Sequence, residues 1–216
     1  NGMQKLLIII LILIFNLTFG QEKIDRTDSI ITKFKTKLND NGVSDFLVIK
    51  QITHGIEYIP DLNDPNSCYR NTAYFAIYAF WSNGKKSYVK KFDNCGEFKT
   101  LKLSSSKPIN FFKSNYKKIK SEKVKPYQII STSHGKDGLA YKINSFQTHQ
   151  PQRYFWFFTK SMQFTNHFDT YNLTTEKDKP NFNYKSNKEL KLVKLNAICE
   201  EIINEFEDNN MFNRIK

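Results

Sequence analysis

Residues 69–81 read YRNTAYFAIYAFW and residues 86–92 read KSYVKKF, with Ser82, Asn83, Gly84 and Lys85 between them. Aromatic and β-branched residues dominate the first run. Asn83-Gly84 is a two-residue hairpin signal, because both central positions of a type I′ turn take positive φ. The stretch therefore predicts two antiparallel strands with Ser82 facing Lys85. One face of the first strand carries Phe75, Ile77 and Trp81, and the other carries Tyr74, Tyr78 and Phe80. A strand with one wet face alternates apolar and polar residues. Here both faces are aromatic, so both are expected to be covered, the second by a partner.

Cys68 and Cys95 bracket this hairpin. In the register just given Thr72, not Cys68, lies opposite Cys95, so a Cys68–Cys95 disulfide requires a bulge or a turn at Asp93-Asn94. That disulfide is the expectation. Cys199 falls on the apolar face of the last helix and reads as a buried free thiol. The three cysteines lack Cys-x-x-Cys or Cys-x-x-His spacing, so no metal site is expected.

Outward from the hairpin, residues 24–38 place Ile31, Phe34 and Leu38 at helical spacing, and Asp40-Asn41-Gly42 stops the helix. Residues 45–52 (DFLVIKQI) and 56–59 read as strands, and 60–67 (PDLNDPNS) as a loop. Pro108 opens a central helix whose stripe is Ile109, Phe112, Tyr116 and Ile119. Its other face carries Lys113, Lys117, Lys118 and Lys120. Residues 127–132 and 138–145 read as strands joined through Gly135-Lys136-Asp137, and 154–158 (YFWFF) as a buried strand. Residues 162–171 fit neither pattern clearly, and 174–185 read as polar loop. Ser186 and Glu189 have capping-box spacing. Behind them Leu192, Leu195, Cys199, Ile202 and Phe206 mark a C-terminal helix of about five turns. The predicted class is α+β: an antiparallel sheet with helices at both termini and one central helix, all covering one face. No linker composition splits residues 21–216, which are expected to form a single domain.

Residues 1–20 read differently. Asn1-Gly2 stand upstream of Met3 as a scar or read-through. Lys5 then precedes the apolar run Leu6 to Phe15 (LLIIILILIF), and Thr18 and Gly20 supply small residues. Charge, apolar run and small residues in that order form a secretory signal peptide, cut after Gly20. The run is too short for a membrane-spanning helix, which needs about 20 apolar residues. The expectations are a periplasmic or extracellular location and no membrane span once the leader is removed. Such a location favours the disulfide.

The chain of 216 residues carries 33 Lys and Arg against 21 Asp and Glu, a net charge of +12. Only four of the basic residues are Arg. Arg supplies the bidentate base contacts of sequence readers, so sequence-specific nucleic-acid binding is not expected. Lys, Asn, Phe, Ile and Tyr all have AT-rich codons, so part of the charge is attributable to composition. Distribution says more. Residues 99–125 hold nine Lys and one Glu122, whereas residues 196–210 hold Glu200, Glu201, Glu205, Glu207 and Asp208 with no base. The basic segment reads as a contact surface for a protein partner or an anionic envelope surface.

Gly-x-Ser-x-Gly, His-Glu-x-x-His, Walker and dinucleotide motifs are absent, and no cofactor is implied. The four histidines are His54, His134, His149 and His167. His134 is the candidate catalytic residue, because Gly135 and Gly138 leave backbone N–H groups open beside it. The leading expectation is an exported, non-enzymatic binding protein, inhibitor- or immunity-like. It would grip its partner with Tyr74, Tyr78 and Phe80 of the hairpin and Lys113, Lys117 and Lys120 of the central helix. The alternative is a small secreted His-dependent hydrolase or nuclease.

Overall fold

The computed structural model describes residues 26–55, 67–68, 73–132 and 140–215. The expected leader (1–20), the 56–59 strand, most of the 60–67 loop, the turn at 135–137 and His134 lie outside them.

The chain runs α1 (Thr27–Asp40), β1 (Phe46–Thr53), β2 (Phe75–Asn83), β3 (Lys86–Asp93), β4 (Gly96–Glu97), β5 (Leu101–Leu103) and α2 (Lys107–Ser121). There follow β6 (Gln128–Thr132), β7 (Ala140–Asn144), β8 (Pro151–Phe158), β9 (Gln163–Asp169), a 3-10 turn (Thr170–Leu173), α3 (Tyr184–Lys188) and α4 (Lys191–Asp208). Seven strands form one sheet in the order β4-β3-β2-β1-β8-β9, with β5 pairing β3 as well. Every pairing in it is antiparallel. β6 and β7 form a separate ribbon. The α+β class follows from this arrangement.

β1 sits in the middle and is buried on both sides, which explains its near-continuous apolar run. Alternation sends Leu47 and Ile49 to one face, with Ala76, Tyr78, Phe80, Val89, Phe155 and Phe157. α2 and α4 cover that face through Ile109, Phe112, Ile119, Leu192, Leu195, Cys199 and Ile203. Phe46, Val48, Ile77, Ala79, Trp81 and Phe92 point to the opposite face, where α1 lays Ile31, Phe34 and Leu38. Phe34 meets Trp81 edge-on at 5.3 Å and Phe92 at 5.2 Å. The helices therefore divide between two faces and do not cover one. The aromatic face assigned above to a partner, that of Tyr74, Tyr78 and Phe80, is covered by the chain's own α2 and α4.

The hairpin register also differs from the expectation. Asn83 pairs with Lys86 and Ser82 with Ser87, so the turn is Gly84-Lys85. Gly84 has φ +59° and Lys85 does not have positive φ. A positive φ at the first central position alone is the type II′ pattern, which asks for Gly there. At the far end Asp93 pairs with Gly96 across a turn at Asn94-Cys95. That turn delivers Cys95 to Cys68, and the disulfide forms.

Ser186 to Glu189 do not cap the last helix. Tyr184–Lys188 is a short helix of its own, and α4 starts at Lys191 with no side-chain cap from Leu190. Its first turn is satisfied from elsewhere: the Leu192 N–H donates to Glu122 Oε2 at 2.9 Å. Glu122 lies just past α2, whose own last carbonyls at Ile119 and Glu122 accept from Asn166 Nδ2, both at 3.0 Å. One asparagine on β9 thus closes α2, and the residue after α2 opens α4. Orphan groups at helix ends need such partners when they are buried.

Candidate functional site

Two of the three aromatic residues expected to contact a partner are interior. Phe80 is fully buried and Tyr78 is 3% exposed. The Tyr78 hydroxyl donates to Glu207 Oε1 at 2.5 Å. Burial, and then the Glu207 carboxylate, push its ionisation far above the usual phenol range. Both side chains belong to the core beneath α4 and present no surface to a partner. Tyr74 is half-buried against the same core.

The lysines are at the surface. Lys113 is paired with Asp45 at 2.7 Å, which commits its charge locally. Lys117 and Lys120 are exposed on the outer side of α2. Of the nine lysines between 99 and 125, Lys107 approaches Glu201 at 3.7 Å and Lys113 holds Asp45. The other seven make no ion pair among the described residues. The acidic face of α4 does not neutralise them. Glu200 takes Arg153 at 2.8 Å and Glu207 takes Lys91 at 2.7 Å.

The seven free cations continue onto a feature that motif reading missed. Beside the hairpin turn lies a cavity of about 470 Å³ lined by Lys85, Lys86, Ser87, Lys102, Leu103 and Ser104 to Ser106. Three elements build it. The Gly84-Lys85 turn brings up Lys85 and Lys86. β5 pairs with β3, placing Lys102 opposite Tyr88 and Leu103 opposite Ser87. The chain then crosses through three serines into α2, with Pro108 in its first turn. Among the described residues no carboxylate lines the cavity. Lys85, Lys86 and Lys102 make no ion pair among the described residues. In sequence these groups are 15 or more residues apart, and only the β3–β5 pairing joins them. The run Ser104-Ser105-Ser106 before a proline-started helix was the one available signal.

The three described histidines do not gather. His149 Nδ1 lies 3.0 Å from the His54 carbonyl, so those two turns touch through backbone and not through paired rings. His167 stands exposed on β9 and stacks on Tyr154 at 5.7 Å. Among the described residues no group of three or more His, Cys, Asp or Glu is placed to hold a metal ion. No helix among them is long and apolar enough to cross a membrane. Cys199 is a buried free thiol whose ionisation is pushed far above the usual range by burial and then by Glu200. The disulfide is compatible with an oxidising compartment. Comparison with protein-family models, curated proteins and solved structures finds no match.

Proposed function

We propose that this chain is an exported, non-enzymatic binding protein that holds an acidic macromolecular partner on its lysine surface. The observation that carries this reading is the seven lysines between 99 and 125 without an ion pair among the described residues: Lys117, Lys118 and Lys120 on the last turns of α2, Lys123 and Lys125 just after it, and Lys99 and Lys102 before it, Lys102 in the cavity with Lys85 and Lys86. α2 has 15 residues and so runs about 22 Å. Solvated cations on the end of α2 and on the segments before and after it suit an extended partner better than a small molecule. The signal-peptide pattern and the disulfide support export. The aromatic half of the expected surface plays no part, because Tyr78 and Phe80 are core.

Retention on immobilised heparin in a salt gradient tests the reading, provided overall charge is controlled. One variant replaces Lys117, Lys118 and Lys120 by Gln. The other removes the same charge elsewhere, replacing Lys177, Lys179 and Lys185 by Gln. A local surface loses retention and salt steepness in the first variant and keeps both in the second, since released counterions scale with contacts made. Equal losses in the two variants mean non-specific attraction by net charge and overturn the reading.

A further inference from the structure

We infer that the cavity beside the hairpin turn is a site for one tetrahedral oxyanion, the phosphate or sulfate group of a larger ligand. This deepens the binding reading above and rests on it for its biological setting. The argument starts from the cations. Lys85, Lys86 and Lys102 line a single concavity, and the side chains beside them are serines, one leucine and no acid. Three ammonium groups on one concavity, with no carboxylate among its described lining, repel one another. An anion removes that repulsion and gains the attraction of all three.

The hydroxyls add directionality. Ser87 is buried and donates to Ser106 Oγ at 2.7 Å, and it shares a second contact of 2.7 Å with Ser82 Oγ. The Lys107 N–H donates to Ser105 Oγ at 3.1 Å. Ser105 and Ser106 both act as acceptors toward the protein. Neither hydroxyl proton has an acceptor among the described residues. Each is therefore available to donate to an anion oxygen lodged in the cavity. Ser106 takes up Ser87 and makes no side-chain cap on α2, and the first turn of that helix carries no acidic residue. Carboxylate at a helix start is a common substitute for a bound anion. The positive end of α2 therefore starts directly after the three serines that line the cavity. Ammonium and hydroxyl donors supplied to one concavity by the hairpin turn, β5 and the serine segment suit a tetrahedral group with several equivalent oxygens better than a planar carboxylate.

The test titrates the full chain with inorganic phosphate, inorganic sulfate and chloride at fixed ionic strength. Backbone amide shifts of Lys85, Lys86 and Ser104 to Lys107 are followed. The expected result is saturable shifts confined to those residues with phosphate or sulfate and none with chloride. The variant Lys86→Gln/Lys102→Gln should weaken that binding at least tenfold, and Ser105→Ala several-fold, with unfolding midpoints unchanged. Saturation by both anions fits either ester as source, and saturation by phosphate alone assigns a phosphorylated ligand. Shifts that do not saturate, or that chloride reproduces, overturn the oxyanion site. Heparin retention that still depends on Lys117, Lys118 and Lys120 would then leave the broader binding reading standing.

Discussion

Arg214 holds Asp93 with two parallel hydrogen bonds, Nη1 to Oδ1 at 2.8 Å and Nη2 to Oδ2 at 2.7 Å. The carboxylate is 1% exposed and also accepts from the N–H groups of Cys95 and Gly96. Arg214 lies over the Phe98 ring at 4.5 Å, and Phe98 bridges it through the backbone. The end of the chain is thus strapped across the β3–β4 turn, with Phe212 packed on Phe98 and Tyr78. Removing one partner strands the other charge in the interior. Arg214→Ala should therefore destabilise by about 3–5 kcal/mol. The double variant with Asp93→Ala should lose less than the sum of the two single losses. Urea unfolding of the four proteins measures both quantities, and additive losses would show that the pair is not coupled.

The Cys68–Cys95 bridge sits on the turn that Asp93 organises. It closes a loop with sequence separation 27. Loop-closure entropy of that size corresponds to about 3–4 kcal/mol. Cys68→Ala/Cys95→Ala should lower the urea midpoint accordingly without abolishing the sheet. Thiol counting with an aromatic disulfide reagent gives a sharper check. The folded chain should react at no cysteine, because Cys199 is fully buried and its thiolate is disfavoured. The unfolded, unreduced chain should react at one. Three reactive thiols on unfolding would mean that no bridge exists.

The sheet was legible because alternation is strong where both faces are apolar. Phe75, Ile77 and Trp81 separate from Tyr78 and Phe80 in the structure as they do in the sequence. The hairpin slipped because Asn83-Gly84 and Gly84-Lys85 each satisfy a two-residue turn, and the two turn types place Gly at different positions. Which helix covers which face was not legible. Periodicity marks an apolar stripe but carries no information about its partner. The cavity was hidden for the same reason, since the β3–β5 pairing alone brings Lys85 and Lys86 to Lys102. Exposure of the hairpin aromatics was misread because an aromatic face needing cover does not say who supplies it.

Asparagine, one of the residues with AT-rich codons, proves structural in several places. Asn187 is 1% exposed. Its Nδ2 donates to the carbonyls of Lys125 and Asn172, at 2.8 and 3.0 Å, and its Oδ1 accepts from the Lys125 N–H at 3.0 Å. One side chain thereby pins the segment after α2 to the 3-10 turn. Asn187→Ala removes the side-chain partner of both the Lys125 N–H and the Lys125 carbonyl, while the Asn172 carbonyl keeps Asn181 Nδ2, and about 2 kcal/mol should be lost. Asn187→Asp keeps the acceptor, removes the donor and adds a buried charge, so it should be worse. Thermal unfolding ranks the two, and an aspartate variant as stable as the parent would contradict the donor role.

Asp45 and Lys113 supply a pH effect at the lysine surface. Burial alone would raise the Asp45 carboxyl. The Lys113 hydrogen bond and charge, with the Lys160 N–H at 3.1 Å and Ser44 at 3.4 Å, outweigh it and hold the carboxyl below its ordinary range. A folded-state value below the unfolded one stabilises above the ordinary carboxylate range, and the gain disappears as pH falls through the folded value. Asp45 and Lys113 retain 32% and 48% side-chain exposure, so solvent screening limits the effect to about 1 kcal/mol or less. Asp45→Asn keeps an oxygen for Lys160 and removes the charge. It should be less stable than the parent at pH 6 and indistinguishable from it near pH 2, and added salt should narrow the gap at pH 6. Urea midpoints at the two pH values and two salt concentrations measure this. A gap that persists at low pH would assign the loss to packing at Asp45 and not to its charge.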